Sequence, residues 1–230
     1  MKTPALTCAL PPLLLAFATL AAAQTPPQLG DRPQNPDAAA ILQTACTAAP
    51  PEDESDQRQG REWREEYAER QAYAELLPQF FAAVPSERDA ELLMPVEGVT
   101  LSQVGDTWGA ARSEGRSHEG TDIFAAEGTP VYAATPGYVY SVGDNPYGGN
   151  VVTVVGGGGI RYYYAHLSSF GENLQEGQYV TPETVLGFVG NTGNAATTPP
   201  HLHLGVYGGP YGTCDWVAEN PYGLLVDREW

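Results

Sequence analysis

The sequence predicts a mainly β protein, in which a small antiparallel β-sheet domain follows a helical N-terminal segment. Two observations lead to this prediction. From residue 94 onward, short runs rich in Val, Tyr and Thr alternate with Gly, Pro and Asn, which is typical of antiparallel strands joined by turns. Residues 61–77 are instead rich in Glu, Arg and Ala, with large side chains near helical spacing. The predicted strands cover residues 131–134, 138–142, 151–155, 160–164, 184–189 and 203–207.

The first 23 residues have the features of a signal peptide. Lys2 precedes an apolar stretch over residues 13–20, and three alanines before Gln24 provide a cleavage site. The alternative is a membrane anchor, but the apolar stretch is shorter than the about 20 residues that a membrane-spanning helix needs. We therefore expect an exported protein, secreted or periplasmic, without stable membrane insertion once residues 1–23 are removed. Residues 24–60 follow as a proline-rich segment that we expect to be mobile.

The mature chain would be strongly acidic. Lys2 is the only lysine, so removal of the signal peptide leaves 10 arginines against 28 acidic residues, a net charge of −18. Nucleic acids and anionic membrane surfaces bind proteins mainly through cationic side chains. The charge therefore argues against both as partners.

Two cysteines, Cys46 and Cys214, remain after Cys8 leaves with the signal peptide. An even number of cysteines in an oxidising compartment is consistent with a disulfide, which would tie the N-terminal segment to the end of the chain. The alternatives are two buried thiols, or Cys214 as a further metal ligand.

The segment 61–93 is predicted to contain a helix that ends before Pro78, because proline disrupts a helix interior. Glu66 and Arg70 would form a favourable pair four residues apart on this helix. Two roles are open for the segment. It either packs on the domain as a supporting helix, or it binds a partner or covers the functional site.

Residues 94–230 form the predicted main domain. Its clearest hairpin joins residues 151–155 to residues 160–164 through four glycines at 156–159. The glycines could also form a mobile loop, but the flanking β-branched and aromatic residues favour a turn.

The four histidines of the chain, His118, His166, His201 and His203, are the main indication of its function. His201 and His203 lie two residues apart in a β-favouring context, so in a strand both side chains would leave the same face. His118 precedes Asp122 by four residues, a spacing that would suit a helix. The intervening glycine and threonine are poor helix formers, however, and favour a loop that leads into a strand.

His118, Asp122 and His203 form a candidate metal site. Two imidazoles and one carboxylate can hold tetrahedral zinc and leave one position open for water, which is a catalytic rather than a structural arrangement. Zinc lowers the pKa of bound water from about 15.7 to about 7 and polarises a carbonyl. Iron is the rival metal for this ligand set. Since no redox-cofactor motif is present, the sequence favours one zinc ion per chain and hydrolysis.

His166 and His201 are the remaining histidines, and we expect them to be catalytic. One would act as general base and the other as oxyanion or proton-transfer partner, in an order that the sequence leaves open. Glu119 is an alternative base, but the second histidine that His-Glu zinc helices carry four residues after the first is absent. Each histidine alone has a structural explanation. The combination of HEGTD at 118–122, YAHL at 164–167 and PHLH at 200–203 makes coincidence a poor explanation.

These three segments resemble the signatures of the lysostaphin-type zinc metallopeptidases, the M23 family of cell-wall endopeptidases. The segments GTPVYA at 128–133, GGN at 148–150 and GFVGNTG at 187–193 are also similar to that family, and the resemblance spans residues 94–207. It implies a small antiparallel β domain with the metal at the floor of a groove. It also implies His118, Asp122 and His203 as zinc ligands, with His166 and His201 as catalytic residues.

The resemblance further implies an exported zinc metalloendopeptidase that hydrolyses peptide cross-links or bridges of bacterial peptidoglycan. Aromatic residues such as Tyr164 and Tyr207 are expected near the groove. Two alternatives remain open: a zinc peptidase that acts on a protein substrate, and a catalytically silent module that binds the wall or activates another hydrolase. Family members of the silent kind have lost ligands, whereas every expected position is present here.

Overall fold

The computed structural model describes residues 28–29, 46, 62–112 and 115–230, with the side chains of residues 62–70 and 72–73 excepted. The predicted signal peptide of residues 1–23 lies outside the described residues, as does nearly all of the segment 24–60. In the part of the chain that is described, no helix combines the length and apolar character that crossing a membrane requires.

Strands dominate the described chain, which confirms the prediction of a mainly β fold. The helix α1 spans Glu62–Ala83. The strands, in chain order, are β1 (Leu92–Leu93), β2 (Thr121–Phe124), β3 (Pro130–Tyr132), β4 (Gly137–Asn145), β5 (Gly149–Gly156), β6 (Arg161–Leu167), β7 (Ser169–Phe170), β8 (Tyr179–Val180), β9 (Val185–Phe188), β10 (His201–Gly208), β11 (Val217–Glu219) and β12 (Leu225–Val226). Each of the strands expected from the sequence is present, with ends shifted by a few residues.

The main sheet has seven strands and is antiparallel throughout. Six of them follow the order β11-β10-β6-β5-β4-β8, and β2 pairs with β10 on the same side as β11. A smaller antiparallel sheet has the order β3-β9-β7, and β1 pairs with β12 in parallel. An antiparallel sheet can pack one face on a core and leave the other face accessible. The main sheet uses its accessible face for the site described below.

Strand β10 shows how the main sheet separates its two faces. Leu202, Leu204 and Val206 are fully buried in the main hydrophobic core. Because successive side chains of a strand point to opposite faces, His201 and His203 leave the other face together. The prediction that the two histidines share one face of a strand is therefore confirmed.

The predicted hairpin at the glycine run is also present. Strands β5 and β6 pair antiparallel and are joined through a short turn at Gly157–Gly159. Gly158 has φ 69°, a backbone conformation that side chains with a Cβ disfavour. The four glycines thus form an ordered turn, as the flanking residues indicate.

The prediction that the helix ends before Pro78 is wrong, because α1 continues through Pro78 to Ala83. Proline inside a helix costs roughly 3 kcal/mol. The last turn of α1 buries Phe80 and Phe81, which are 2% and 1% exposed, against Tyr140 and Trp216. Each buried phenylalanine contributes about 1.5–3 kcal/mol, so the two together offset the cost of the proline.

A disulfide joins Cys46 to Cys214, as the pairing of the two cysteines predicts. The bond links the N-terminal segment to the region before β11 across a sequence separation of 168 residues. Both half-cystines pack beside the cluster that buries the end of α1. The alternative role of Cys214 as a metal ligand is therefore wrong, since its sulfur is bonded to Cys46.

Candidate active site

A groove of about 690 Å³ lies on the accessible face of the main sheet. All four histidines of the chain line it, together with Asp122. No described residue of α1 is among those that line the groove. The end of α1 packs instead on Tyr140 and Trp216 of the main domain.

Strands β2 and β10 place the first two donors of the candidate metal site. Asp122 and His203 are direct register partners in this antiparallel pair, and the His203 Nδ1 atom lies 3.1 Å from Asp122 Oδ1. His118 lies in the loop before β2, as predicted, and its Nε2 atom lies 3.0 Å from the same oxygen. The two ring nitrogens, His118 Nε2 and His203 Nδ1, are 2.8 Å apart. Three donor atoms thus converge on one point, which is the set that zinc accepts.

Backbone carbonyls fix the protonation pattern of three histidines. The Nδ1 atom of His118 lies 2.8 Å from the Thr107 carbonyl oxygen, that of His166 lies 2.9 Å from the Thr192 oxygen, and that of His201 lies 2.9 Å from the Pro199 oxygen. A carbonyl oxygen only accepts, so each Nδ1 carries the donated hydrogen. In the neutral ring the lone pair then belongs to Nε2, which is free to bind a metal or accept a proton.

The environment favours an ionised carboxylate beside neutral imidazoles. Burial opposes ionisation of Asp122, but the adjacent His118 and His203 rings outweigh it and hold the pKa of its carboxyl group well below the ordinary value. Burial lowers the pKa of His203 against the opposing effect of Asp122. Burial also lowers the pKa of His166 to about 4, and the neighbouring His203 and His201 add to this effect. These are the forms in which such groups bind divalent metals.

A β-bulge turns His166 toward the groove. Asn150 pairs with Leu167 and Val152 pairs with Tyr164, so one residue of β5 faces two residues of β6. His166 has φ 64°, which is uncommon for a residue other than glycine. Bulges of this kind reorient a side chain and occur beside functional sites. The sequence predicts a site role for His166 but gives no sign of the bulge that places it.

His201 and His166 face each other across the end of the groove, with ring centroids 5.0 Å apart. The Nε2 atom of His201 is 3.8 Å from Asp122 Oδ1, just outside the cluster of donor atoms. Phe124 packs beside the His201 ring at 5.2 Å and is 55% exposed. The structure therefore brings together all five residues that the sequence singles out.

The placement of Tyr164 near the groove is wrong, whereas Tyr207 does line it. Tyr164 is fully buried in the main core, where its hydroxyl accepts a hydrogen bond from the Ala134 N–H group at 2.9 Å. Strand alternation explains the difference, since Tyr163 occupies the groove face of β6 instead. A run of three tyrosines at 162–164 does not indicate which of them faces the core.

Thr107 and Arg112 contact the donor set and were not predicted. The Thr107 carbonyl accepts from His118, and the Thr107 Oγ1 atom accepts from the Asp122 N–H group at 3.0 Å. A guanidinium nitrogen of Arg112 contacts Asp122 Oδ2. A backbone carbonyl leaves no trace in a sequence. Arg112 could have been considered from the sequence, because basic residues are few in this chain and this one lies ten residues before Asp122.

Comparison with known proteins adds family information to this geometry. Residues 116–213 match the model of peptidase family M23. The chain is 40% identical over 131 residues to the L-Ala–D-Glu endopeptidase of Bacillus subtilis, covering 54% of this chain and 39% of that protein. It is 40% identical over 86 residues to the peptidoglycan DD-endopeptidase ShyA of Vibrio cholerae, covering 37% of this chain and 19% of that protein. The match therefore spans less than half the length of either relative.

Among solved structures, the chain is similar to the catalytic domain of the antimicrobial peptidase lysostaphin from Staphylococcus simulans. The sequences are 34% identical, and the TM-score is 0.42. The alignment covers 46% of this chain and 81% of that domain.

Proposed function

Because this chain contains a domain of peptidase family M23 at residues 116–213, we propose that it is an exported zinc metalloendopeptidase that hydrolyses peptide cross-links or bridges of bacterial peptidoglycan. The observation that carries this proposal is the convergence of His118, Asp122 and His203 on one point. Two further histidines face the same groove, where they would supply an acid–base pair beside the candidate metal site.

His118 would hold the ion through Nε2, Asp122 through Oδ1 and His203 through Nδ1, because these are the atoms that meet. Zinc bound there would supply Lewis-acid chemistry, making water acidic enough to attack and polarising the scissile carbonyl. Three protein donors are the number that catalytic zinc sites use. The ionised Asp122 carboxylate and the His203 imidazole, whose pKa burial lowers, suit a divalent cation.

His166 and His201 would handle the protons of the reaction. Each donates its Nδ1 hydrogen to a backbone carbonyl, so each can present an unprotonated Nε2 atom to the groove. Such an atom can take a proton from the attacking water and return it to the leaving amine. The carbonyl contacts restrain the orientation of both rings. Phe124 covers one side of His201 and keeps part of the site apolar.

Two features support a peptide of the cell wall as substrate. The named activities of the Bacillus and Vibrio relatives are cleavage of an L-Ala–D-Glu bond and of peptidoglycan. Aromatic residues line the groove, with Tyr163 and Tyr207 on the sheet and the 59% exposed Tyr147 in the turn between β4 and β5. Aromatic side chains offer a large apolar contact area, and tyrosine adds a hydroxyl group that can form hydrogen bonds with a bound peptide.

We also propose that the protein is exported and that its chain consists of a signal peptide, two N-terminal segments and a peptidase domain. Residues 1–23 would be removed as a signal peptide, and residues 94–230 would form the peptidase domain behind the segments 24–60 and 61–93. The disulfide between Cys46 and Cys214 supports a location outside the cytoplasm, because such bonds persist in oxidising compartments.

Digestion of purified peptidoglycan, followed by mass analysis of the fragments, tests the proposal. The wild-type protein should release new amine termini, and a zinc chelator should abolish their release until zinc is restored. The Asp122→Ala variant is the matched control and should release none. Intact peptidoglycan after treatment with zinc-loaded wild-type protein would overturn the proposal in favour of a silent wall-binding module. If the enzyme cleaves an unrelated protein and leaves peptidoglycan intact, the alternative of a protein substrate is favoured.

A further inference from the structure

The two carboxylate oxygens of Asp122 have different partners, and one of the partners is Arg112. Its Nη2 atom contacts Asp122 Oδ2, while Asp122 Oδ1 faces the His118 and His203 nitrogens at 3.0 and 3.1 Å. The Asp122 side chain is only 8% exposed, against 36% for Arg112. The arginine thus reaches inward from the groove wall to a nearly buried carboxylate.

The backbone fixes Arg112 relative to His118. The Arg112 N–H group donates to the Arg116 carbonyl at 2.9 Å. The His118 N–H group donates to the Ala110 carbonyl at 2.9 Å, and the Gly109 N–H group donates to the His118 carbonyl at 2.8 Å. The segment that carries Arg112 is therefore paired with the segment that ends in His118. This pairing restrains the backbone position from which the Arg112 side chain reaches Asp122.

From this arrangement we infer that Arg112 is a positioning residue, which holds Asp122 as a ligand through Oδ1 alone. The inference rests on the proposed zinc site. A carboxylate can offer one or both oxygens to a metal, and here the Oδ2 atom is directed toward the guanidinium while Oδ1 is directed toward the two histidine nitrogens. A single oxygen from Asp122 keeps the total at three protein donors and leaves the fourth position open. Arg112 also supplies the positive charge that a buried carboxylate needs when the metal is absent.

Removal of a hydrogen-bond partner from a metal ligand typically lowers metal affinity about 10–100-fold. The zinc dissociation constant of the full chain, measured by competition with a chromophoric chelator, should therefore rise by about that factor in Arg112→Lys and Arg112→Gln. Lysine keeps the charge but lacks the planar fork of the guanidinium, so Arg112→Lys tests geometry separately from charge.

Arg88→Lys is the matched control. Arg88 also binds a carboxylate, with its Nη2 atom 2.6 Å from Glu219 Oε2, but this pair is not among the residues that line the groove. The control should bind zinc as the wild type does. Cobalt-substituted protein provides a second measurement, since visible absorption weakens when a four-coordinate ion gains a ligand. We expect weaker bands in both Arg112 variants, and the melting temperatures of the metal-free proteins will show that they fold.

Wild-type zinc affinity in both Arg112 variants would overturn the inference. Tighter zinc binding would overturn it as well, because it would mean that Arg112 competes with the metal for Asp122. Absence of zinc binding by the wild type would overturn it too. No peptide is used in these measurements. A wild type that binds zinc and leaves peptidoglycan intact would therefore defeat the proposed function and leave the role of Arg112 standing.

Discussion

Asp122 and His203 are direct partners across the antiparallel ladder of β2 and β10. Residues in this relationship have Cβ atoms about 4.5–5.5 Å apart on one face of the sheet. The fold therefore creates two of the three candidate metal donors from a single register position, although 80 residues of chain separate them. A slip of the register by one residue would point one of the two side chains into the main core.

Gly120 provides the space for His203, and Gly120→Ala should weaken zinc binding at least tenfold. A Cβ atom at this position would lie 2.5 Å from His203 Cε1 and 2.7 Å from the Leu204 carbonyl oxygen. The ring must then leave the position in which its Nδ1 atom meets the His118 and Asp122 donor atoms. Zinc affinity can be compared with that of Gly105→Ala, where a Cβ atom meets nothing within 4 Å. Equal affinities in the two variants would show that the site tolerates the displacement.

The positive φ at His166 predicts that a glycine variant is more stable than an alanine variant at this position. At φ 64° a residue with a Cβ atom costs about 1–2 kcal/mol, so His166→Gly should be more stable than His166→Ala by about 1 kcal/mol. Both variants should be inactive, because both lack the imidazole. Urea unfolding measures the difference. At His201, an ordinary strand position, the order should reverse, since glycine in a strand is less stable than alanine by about 0.5–1 kcal/mol. The same order at both positions would contradict the account of the bulge.

Loss of the disulfide should destabilise the protein without affecting its metal. Replacing Cys46 and Cys214 by serine should lower the free energy of unfolding by about 2–4 kcal/mol, because the bond closes a long loop. Denaturant unfolding with and without a reducing agent measures this effect, and the double variant should not respond to reduction. Zinc content should stay at the wild-type value. A loss of zinc in the serine variant would restore the discarded role of Cys214 as a ligand.

The end of α1 should behave as part of the core. Phe81→Ala should lower the free energy of unfolding by about 3–5 kcal/mol, because the ring is 1% exposed beside Trp216. Leu76→Ala is the control, since Leu76 is 41% exposed and should cost little. Neither variant should gain peptidase activity. Increased turnover in Phe81→Ala, with little loss of stability, would instead mean that this segment covers the groove.

Local sequence patterns predicted most of the fold and singled out five residues that the structure brings together in one groove. The alternation in β10 correctly separates His201 and His203 from the leucines between and after them. The glycine run and its flanking residues correctly indicate the hairpin. Both features can be predicted from the sequence because each depends only on a few neighbouring residues.

The features that were missed depend on distant parts of the chain. The register that joins Asp122 to His203 and the bulge at His166 are set by strand pairing, which has no local signature. The helix continues through Pro78 because Phe80 and Phe81 meet side chains more than 50 residues away. Thr107 binds His118 through a backbone atom, so its residue type carries no information about the contact.

Zinc content per chain in five purified alanine variants tests the central claim most directly. The wild type, His166→Ala and His201→Ala should each retain one zinc ion, although the two variants should lose turnover. His118→Ala, Asp122→Ala and His203→Ala should retain neither zinc nor activity, because each removes one of the three converging donors. A full complement of zinc in His203→Ala would contradict the account.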